Sequence, residues 1–205
     1  MYPIIKRLID IVGSILGLLL LSPILIIIAI LIRLTLGKPV MFCHVRPGLH
    51  AKPFRMIKFR TMTNECDENG NLLPDERRVT KFGLFLRKTS IDELPELLNV
   101  LKGDMSLVGP RPLLMKYLPY YTPEEQKRHN VRPGITGLAQ ISGRNTLPWN
   151  ERLKIDVEYV ERYSLILDTY IIFCTIGCVF RQKNIVLNMM LDLDVERSKS
   201  LHTEQ

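Results

Sequence analysis

The stretch IVGSILGLLLLSPILIIIAILI, residues Ile11 to Ile32, decides how this chain is organised. It carries no charged residue, and as one helix it would be about 33 Å long, which is enough to cross a bilayer. It is too long for a signal peptide and has no small-residue cleavage site, so we expect it to be retained. The segment therefore predicts a protein attached to a membrane.

A proline stands near the middle of this apolar segment. Pro23 cannot donate a hydrogen bond to the Leu19 carbonyl, and its ring pushes against that carbonyl, so the sequence predicts a bend there. The Ser22 hydroxyl can bond to a carbonyl one turn earlier and ease the loss. The two arms on either side would each cover about half of the hydrocarbon thickness.

The charges at the two ends of the segment bear on its topology. Lys6 and Arg7 precede it, and Arg33 and Lys38 follow it. The positive-inside rule places both ends on the cytoplasmic side, which a hairpin dipping into one leaflet satisfies and a spanning helix does not. Hydropathy alone favours the spanning helix, so the residues by themselves leave both topologies open.

The composition narrows the range of partners. The 205 residues suit one globular domain with attachments, and 28 Lys and Arg against 21 Asp and Glu give a net charge of +7. Such a surface attracts nucleic acid, anionic lipid or nucleotide phosphates. None of the four cysteines forms a CxxC pair, which indicates a reducing compartment and no disulfide framework.

The remaining chain predicts an α+β fold that is predominantly helical. Residues 38–62 suit short strands around an Arg-Pro-Gly turn at Arg46–Gly48. Thr122 with Pro123 predicts a capped helix start, and a longer helix should begin after Pro148. We divide the chain into a membrane segment (1–36), a cytoplasmic catalytic domain (37–185) and a flexible polar tail (186–205).

One acid falls on the apolar stripe of that longer helix. Asp156 lies three residues after Leu153 and four before Val160, so it shares the packed face. A buried acid needs a partner, and an arginine is the obvious one. The alternative is a carboxylate at the edge of the stripe that reaches water.

The segment TSIDELPELL, Thr89 to Leu98, combines a helix start with two acids. Ser90 with Glu93 three residues later predicts a capping box. Asp92 should point away from the leucine stripe and the core, and the helix dipole should keep its carboxylate ionised. Glu93 is either a general base or a structural cap.

Several arginines in the chain stand beside Gly, Pro or a helix start. Arg87, Arg111 and Arg144 occur in FLRKTS, GPRP and SGRN, where the backbone would fix their positions. Arginine suits two-pronged contacts with phosphate, and a helix start adds amide donors. The pattern favours a phosphoanion site, with a divalent cation if the carboxylates share it.

Three motifs together resemble a known family. KFRTM, TSIDELPELLNVLKGDMSLVGPRP and VRPGITGLAQISGRN are similar to the bacterial sugar transferases, the monotopic phosphoglycosyl transferases, and the chain resembles the small, PglC-like members. The resemblance implies transfer of a phosphosugar from a UDP-sugar to polyprenol phosphate, usually undecaprenyl phosphate, with release of UMP. It also implies Mg²⁺ and a covalent phosphosugar intermediate on Asp92.

The resemblance assigns further positions and a location. It implies a re-entrant helix-break-helix hairpin broken at Ser22 and Pro23, interfacial amphipathic helices, and a small domain on the cytoplasmic face of the bacterial inner membrane. Mg²⁺ would lie at Asp92. It implies no nucleic-acid partner and makes downstream glycosyltransferases candidate partners. The family's basic and polar site positions fall on Lys58, Arg87, Arg111, Arg144 and Asp156.

Two other functions fit parts of the sequence. A membrane-bound, metal-dependent phosphohydrolase of sugar nucleotides would use the same anion site without polyprenol phosphate. A non-enzymatic basic protein that binds anionic lipid or nucleic acid would explain the net charge but not the acids among the arginines, and its binding should weaken steeply with salt.

Overall fold

The computed structural model describes residues 2–143, 147–181 and 192–203. As predicted, this part of the chain is mostly helical with little sheet. The α-helices are α1 (Tyr2–Thr35), α2 (Asp75–Arg78), α3 (Lys81–Thr89), α4 (Leu97–Lys102), α5 (Pro123–Gln126), α6 (Leu138–Ser142), α7 (Trp149–Arg162), α8 (Leu165–Arg181) and α9 (Leu193–Thr203). The 3₁₀ helices are Leu49–Ala51, Ile91–Glu96, Met115–Tyr120 and Lys127–Asn130.

Within the described residues, four short strands form two separate pairs. The strands are β1 (Met41–Pro47), β2 (Pro53–Phe59), β3 (Ser106–Val108) and β4 (Gly134–Thr136). β1 and β2 form the antiparallel hairpin that the Arg-Pro-Gly turn predicts. β3 and β4 are parallel, and they approach so closely that a Cβ on Gly134 would lie 2.1 Å from the Gly109 nitrogen. This contact joins the GPRP and RPGITG motifs, which are far apart in sequence.

Helix α1 continues through the proline. The Ser22 hydroxyl donates to the Leu19 carbonyl at 2.8 Å, the carbonyl that Pro23 leaves without its usual donor. The predicted compensation by Ser22 is therefore confirmed. Helical structure is assigned from Tyr2 to Thr35 without an interruption, so the predicted break is not seen and the re-entrant hairpin stays a prediction.

The N-terminal arm of α1 is anchored to the globular part of the protein by polar contacts. The Lys6 ammonium lies 2.5 Å from the Asp168 carboxylate of α8. The Asp10 carboxylate accepts hydrogen bonds from the Ser106 hydroxyl and the Leu107 amide, both at 2.9 Å. Because Lys6 and Asp10 are almost fully buried, these contacts fix the position of the arm on β3 and α8.

The C-terminal arm of α1 packs on the same globular part through apolar contacts. Ile28 and Ile32 are buried in one cluster with Phe59 of β2 and Leu86 of α3. Shortly after the end of α1, the Lys38 carbonyl accepts a hydrogen bond from the Arg60 guanidinium at 2.8 Å. Both ends of the long apolar helix therefore contact one body.

Much of the apolar surface of α1 is exposed. Helix α1 is long and apolar enough to cross a membrane, and only 11% of its most apolar window is buried. The shorter helix α8 is apolar and two-sided, with Ile171 buried while Ile166 and Phe173 are 84% and 69% exposed. Helix α8 thus has one buried apolar face and one exposed apolar face.

The C-terminal region departs from the sequence prediction. Residues 192–203, expected to belong to a flexible tail, include helix α9, while residues 186–191 and 204–205 lie outside the described residues. Leu193 is buried in a cluster with Tyr117 and Trp149, and Arg197 pairs with Glu125 at 2.6 Å. The apolar anchor at Leu193 and ion pairs from Asp192, Asp194 and Arg197 stabilise a segment that its polar composition alone suggested was disordered.

Candidate active site

The two adjacent acids lie on a 3₁₀ helix instead of the predicted capped α-helix. Ser90 adopts left-handed backbone angles (φ 57°, ψ 18°) and ends α3, and its side chain makes no capping hydrogen bond. Asp92 and Glu93 follow in the 3₁₀ helix Ile91–Glu96, and α4 begins only at Leu97. The prediction of a capping box between Ser90 and Glu93 is therefore wrong. Ser90 ends α3, and the Glu93 carboxylate forms ion pairs with Lys58 and Arg111 instead of capping a helix.

Glu93 is held by two cations from different parts of the chain. Its carboxylate lies 2.6 Å from the Lys58 ammonium of β2 and accepts two hydrogen bonds from the Arg111 guanidinium, at 2.5 and 3.3 Å. Burial opposes its ionisation, but the charges of Arg111 and Lys58 outweigh burial and hold the pKa of Glu93 well below its ordinary range. Glu93 is therefore a permanent anion that orients Lys58 and Arg111.

The pKa of Asp92 is shifted in the opposite direction. It is only 9% exposed, and its carboxylate accepts no hydrogen bond from the residues that the structure describes. Burial, and secondarily the charge of Glu93, raises the pKa of Asp92 to about 6, although Lys58 and Arg111 act against this. The sequence predicted an outward-facing carboxylate kept ionised by the helix dipole. The predicted direction of the side chain was wrong, because a 3₁₀ helix turns every three residues and α-helical spacing therefore misplaces Asp92. The carboxylate is still mostly ionised at neutral pH, although burial opposes its ionisation.

A third acid joins the cluster one 3₁₀ turn later. Glu96 is 2% exposed and lies 3.1 Å from the Lys58 ammonium, which also contacts Glu93. Burial raises the pKa of Glu96 to about 7 even beside Lys58. Sequence reasoning missed Glu96, although its spacing of three from Glu93 was the available signal.

Arg87 is positioned by a backbone approach between α3 and the KFRTM motif. A Cβ on Gly83 would lie 1.8 Å from the Thr61 carbonyl oxygen, so only glycine allows this contact. The Arg87 Nε then donates to the Thr61 hydroxyl at 2.9 Å. The motif thus places a second guanidinium on the same side as Arg111.

Asp156 has the arginine partner that its place on the apolar stripe predicted. The Arg128 guanidinium donates to its carboxylate at 2.7 and 3.1 Å, and both side chains are almost fully buried. Burial raises the pKa of Asp156, and the charge of Arg128 acts against it. Arg128 also donates to the Arg111 carbonyl at 2.7 Å, so it supports the backbone that presents Arg111. Sequence reasoning predicted the type of partner but did not identify Arg128.

A cavity of about 700 Å³ connects these charged groups to the apolar helices. Its charged lining residues are Arg87, Glu93, Arg111, Arg152 and Asp156. Its apolar walls include Gly17 and Leu21 of α1 and Ile172 and Ile176 of α8. The volume lies within the range of ligand sites, and the lining combines charged and apolar side chains.

The structure brings together all but one of the predicted site residues outside α1. Lys58, Asp92, Glu93 and Arg111 form one cluster, and Arg87 and Asp156 line the adjoining cavity. Arg144 lies outside the described residues. Arg152, which sequence reasoning missed, also lines the cavity, and its guanidinium lies 4.7 Å from the centre of the Trp149 ring.

Comparison with known proteins decides the family. The bacterial sugar transferase family matches residues 1–182. The chain belongs to this family. It is 55% identical over 182 residues to the uncharacterized sugar transferase EpsL of Bacillus subtilis, covering 89% of this chain and 90% of that protein.

Longer sugar transferases share the same region. The UDP-glucose:undecaprenyl-phosphate glucose-1-phosphate transferase of Klebsiella pneumoniae is 45% identical over 191 residues, covering 88% of this chain but 41% of that protein. The Caulobacter vibrioides protein with the same name is 40% identical over 194 residues, covering 87% of this chain and 71% of its own length. This bacterial sugar transferase thus matches only part of the Klebsiella relative.

The cluster can contribute few ligands to a metal. Among residues 2–143, 147–181 and 192–203, no group of three or more His, Cys, Asp or Glu side chains is placed to hold an ion. Mg²⁺ is commonly bound by one or two carboxylates together with substrate phosphates. Asp92, which has no hydrogen-bond donor from the described residues, fits that mode as a single ligand, whereas Glu93 is occupied by Lys58 and Arg111.

Proposed function

We propose that this sugar transferase moves a sugar 1-phosphate from a UDP-sugar to polyprenol phosphate, releasing UMP. The names of the Klebsiella and Caulobacter relatives support undecaprenyl phosphate as the acceptor class and a UDP-sugar as the donor class. The product, a polyprenyl diphosphosugar, would begin the assembly of a membrane-linked glycoconjugate. The identity of the sugar is left to a donor screen.

The observation that carries this proposal is the contrast between two neighbouring carboxylates. The negative charge of Glu93 is balanced by ion pairs with Lys58 and Arg111. Asp92 is buried beside them without a hydrogen-bond donor from the described residues. A desolvated carboxylate next to fixed cations suits attack on phosphorus, because the cations stabilise the charge that develops on the phosphoryl oxygens. A pKa of about 6 leaves most of Asp92 ionised at neutral pH.

In the first step, an Asp92 carboxylate oxygen attacks the phosphorus that bears the sugar. A bond forms between that oxygen and phosphorus, the bond from phosphorus to the bridging oxygen breaks, and UMP leaves with the bonding electron pair. Arg111 and Lys58, oriented by Glu93, would hold the phosphoryl oxygens. The product is an acyl phosphate between Asp92 and the phosphosugar.

In the second step, a phosphate oxygen of the polyprenol phosphate attacks the same phosphorus. The acyl phosphate bond breaks, Asp92 is regenerated as a carboxylate, and the sugar leaves as polyprenyl diphosphosugar. A phosphate monoester is already largely ionised near pH 7, so this attack requires little help from a base. The low pKa of Glu93 makes it a poor base, and we therefore assign it to positioning Lys58 and Arg111.

In this proposal Asp92 is the carboxylate that would hold Mg²⁺ when the donor is bound. When bound, the ion would neutralise phosphate charge and support the departure of UMP. The protein's own contribution is a single carboxylate with raised pKa and the arginines around it. Removal of Mg²⁺ with a chelator should abolish UMP release and leave the fold intact.

We also propose that α1 is a re-entrant hairpin in the bacterial inner membrane, with the catalytic domain on the cytoplasmic side. Lys6 near one end of α1 pairs with Asp168, and Ile32 near the other end packs on Phe59, so both ends contact the same body. A helix that crossed the bilayer would place its ends on opposite faces, about 30 Å apart. The exposed apolar surfaces of α1 and α8 suit contact with lipid.

The test of the activity separates the two steps. The purified protein is incubated with a panel of UDP-sugars and Mg²⁺, without lipid, and UMP and intact protein mass are measured. We expect about one UMP per protein and a mass increase equal to one phosphosugar, both discharged by adding undecaprenyl phosphate. Asp92→Asn should form no adduct.

Alternative results point to other functions. UMP release that begins only with lipid would favour direct attack by the lipid phosphate in a ternary complex. Release of UMP or sugar phosphate in many turnovers without lipid would indicate a phosphohydrolase. No reaction with any donor, combined with salt-sensitive binding to anionic vesicles, would indicate a non-enzymatic binding protein.

A further inference from the structure

Helix α9 follows the part of the chain that matches the family, yet it packs on segments that carry cavity residues. Its first residue, Leu193, is fully buried in one cluster with Leu113 and Trp149. Leu113 lines the cavity and follows Arg111 by two residues. The Trp149 ring centre lies 4.7 Å from the guanidinium of Arg152, which also lines the cavity. One apolar side chain of α9 thus joins the segments that carry two cavity arginines.

Two acids at the start of α9 contact the 3₁₀ helix Met115–Tyr120, which follows the GPRP motif. The Lys116 ammonium lies 2.6 Å from the Asp192 carboxylate and 3.0 Å from the Asp194 carboxylate. The Tyr117 hydroxyl donates to Asp192 at 2.9 Å. Because Lys116 and Asp192 are about half exposed, these ion pairs alone would hold the segment weakly.

Arg197 of α9 makes the stronger connection, because it joins three elements at once. Its guanidinium donates to the two Glu125 carboxylate oxygens at 2.6 and 2.7 Å, to the Tyr120 carbonyl, and to the Asn150 side chain at 3.0 Å. The Arg197 and Glu125 side chains are only 19% and 13% exposed, so water screens this pair less. Tyr120 ends the 3₁₀ helix after the GPRP motif, and Asn150 lies in the first turn of α7. Arg197 therefore ties these two segments together.

We propose that Arg197 is a positioning residue for the transfer reaction, and that through α9 it sets the spacing of Arg111 and Arg152 at the cavity. The proposal rests on the proposed function, in which Arg111 holds phosphoryl oxygens. Arg197 itself does not line the cavity and acts through the segments that it joins. A displacement of about 1 Å in a group that contacts the reacting atoms can slow a reaction about 100-fold. A helix beyond the family match thus contributes to the rate of the first step.

The first test separates the rate of the first step from the fraction of active protein. The full-length protein is mixed with a UDP-sugar and Mg²⁺, without lipid, and UMP is followed over time. The amplitude of UMP release counts the folded, competent molecules, whereas the rate constant reports the geometry of the cavity. Arg197→Ala and Arg197→Lys are compared with the wild type. The matched control is Arg162→Ala, which removes a 73% exposed arginine that pairs with Glu158.

We expect Arg197→Ala to lower the rate constant about 10- to 100-fold and to keep the amplitude near that of the wild type. Arg197→Lys should fall between the two, because one ammonium can pair with Glu125 but cannot bond all three partners. Arg162→Ala should match the wild type. An unchanged rate constant, with or without a lower amplitude, or an equal loss in Arg162→Ala would overturn the proposal. If Arg197→Ala does not fold, a wild-type rate constant in Arg197→Lys would overturn it.

A second measurement requires no reaction. Trp149 is the single tryptophan of the chain, so the fluorescence of the protein reports the start of α7 directly. Leu193→Ala and Arg197→Ala should shift its emission to longer wavelength and increase quenching by acrylamide, because Trp149 becomes more exposed to water. Val195→Ala truncates a 39% exposed side chain of the same helix and should leave the emission unchanged. Unchanged emission in both Leu193→Ala and Arg197→Ala would show that α9 does not hold the start of α7.

The outcomes distinguish this proposal from the proposed function. If the wild type releases UMP and both Arg197 variants release it at the same rate, only the positioning role is wrong. If the wild type releases no UMP with any donor, the proposed function fails. The emission of Trp149 still tests in that case whether α9 holds the start of α7, since the measurement depends on the fold and not on turnover.

Discussion

Replacing the proposed nucleophile should make the protein more stable. The buried Asp92 carboxylate has a pKa of about 6 against an ordinary value of 3.8. At about 1.4 kcal/mol per pH unit, this difference corresponds to a cost of roughly 3 kcal/mol for keeping Asp92 ionised in the folded protein at pH 8. Asp92→Asn removes that charge with little change of shape, so it should recover most of this free energy.

The sign of the pH dependence follows from the direction of the shift. The pKa of Asp92 is raised in the folded state. The free-energy cost of ionising Asp92 on folding is therefore absent well below pH 3.8, grows as the pH rises towards 6, and stays constant above pH 6. The stabilisation by Asp92→Asn should therefore fall from about 3 kcal/mol at pH 8 to about 1 kcal/mol at pH 4.5. For a chain of this size, the melting temperature should rise by about 6–12 °C at pH 8 and about 2–4 °C at pH 4.5.

The assay is thermal unfolding of the detergent-solubilised protein, followed by intrinsic fluorescence at both pH values. Asp75→Asn makes the same chemical change at a carboxylate that is 72% exposed and should leave the melting temperature nearly unchanged. Glu93→Gln should destabilise at pH 8, because it removes the partner of Lys58 and Arg111. An Asp92→Asn variant less stable than the wild type at pH 8, or equally shifted at both pH values, would refute the reasoning.

Three further predictions concern the supports of the site and the membrane helix. Arg111→Lys loses the two-pronged contact with Glu93 and should lower turnover by about 10- to 100-fold with unchanged circular dichroism; near-normal turnover would remove Arg111 from the site. Arg128→Ala leaves Asp156 buried without its partner and should cost about 3–5 kcal/mol in denaturant unfolding, so a loss below 1 kcal/mol would contradict the ion pair. Single cysteines placed near each end of α1 should both resist a membrane-impermeant maleimide in intact cells and react after permeabilisation; external labelling of either end would exclude the hairpin.

The sequence predicted those features that depend on local patterns. The apolar run gave the long helix α1, and the Ser22 hydroxyl bonds the Leu19 carbonyl as the Ser-Pro pair indicated. Thr122 caps a helix start as predicted, and it does so in a capping box with Glu125. Asp156 was expected to need an arginine because an acid on a packed helix face must be compensated, and it has one. Each of these follows from hydrogen bonding or periodicity within a few residues.

The electrostatic states of the two acids were decided by the tertiary structure. Asp92 and Glu93 are neighbours in sequence, yet burial raises the pKa of one while Lys58 and Arg111, 35 and 18 residues away from Glu93, lower that of the other. A left-handed Ser90 and a 3₁₀ turn set these directions, and neither follows from α-helical spacing. A sequence determines which charged groups are present, but their pKa values depend on which groups the fold brings within a few ångströms and how much water it removes.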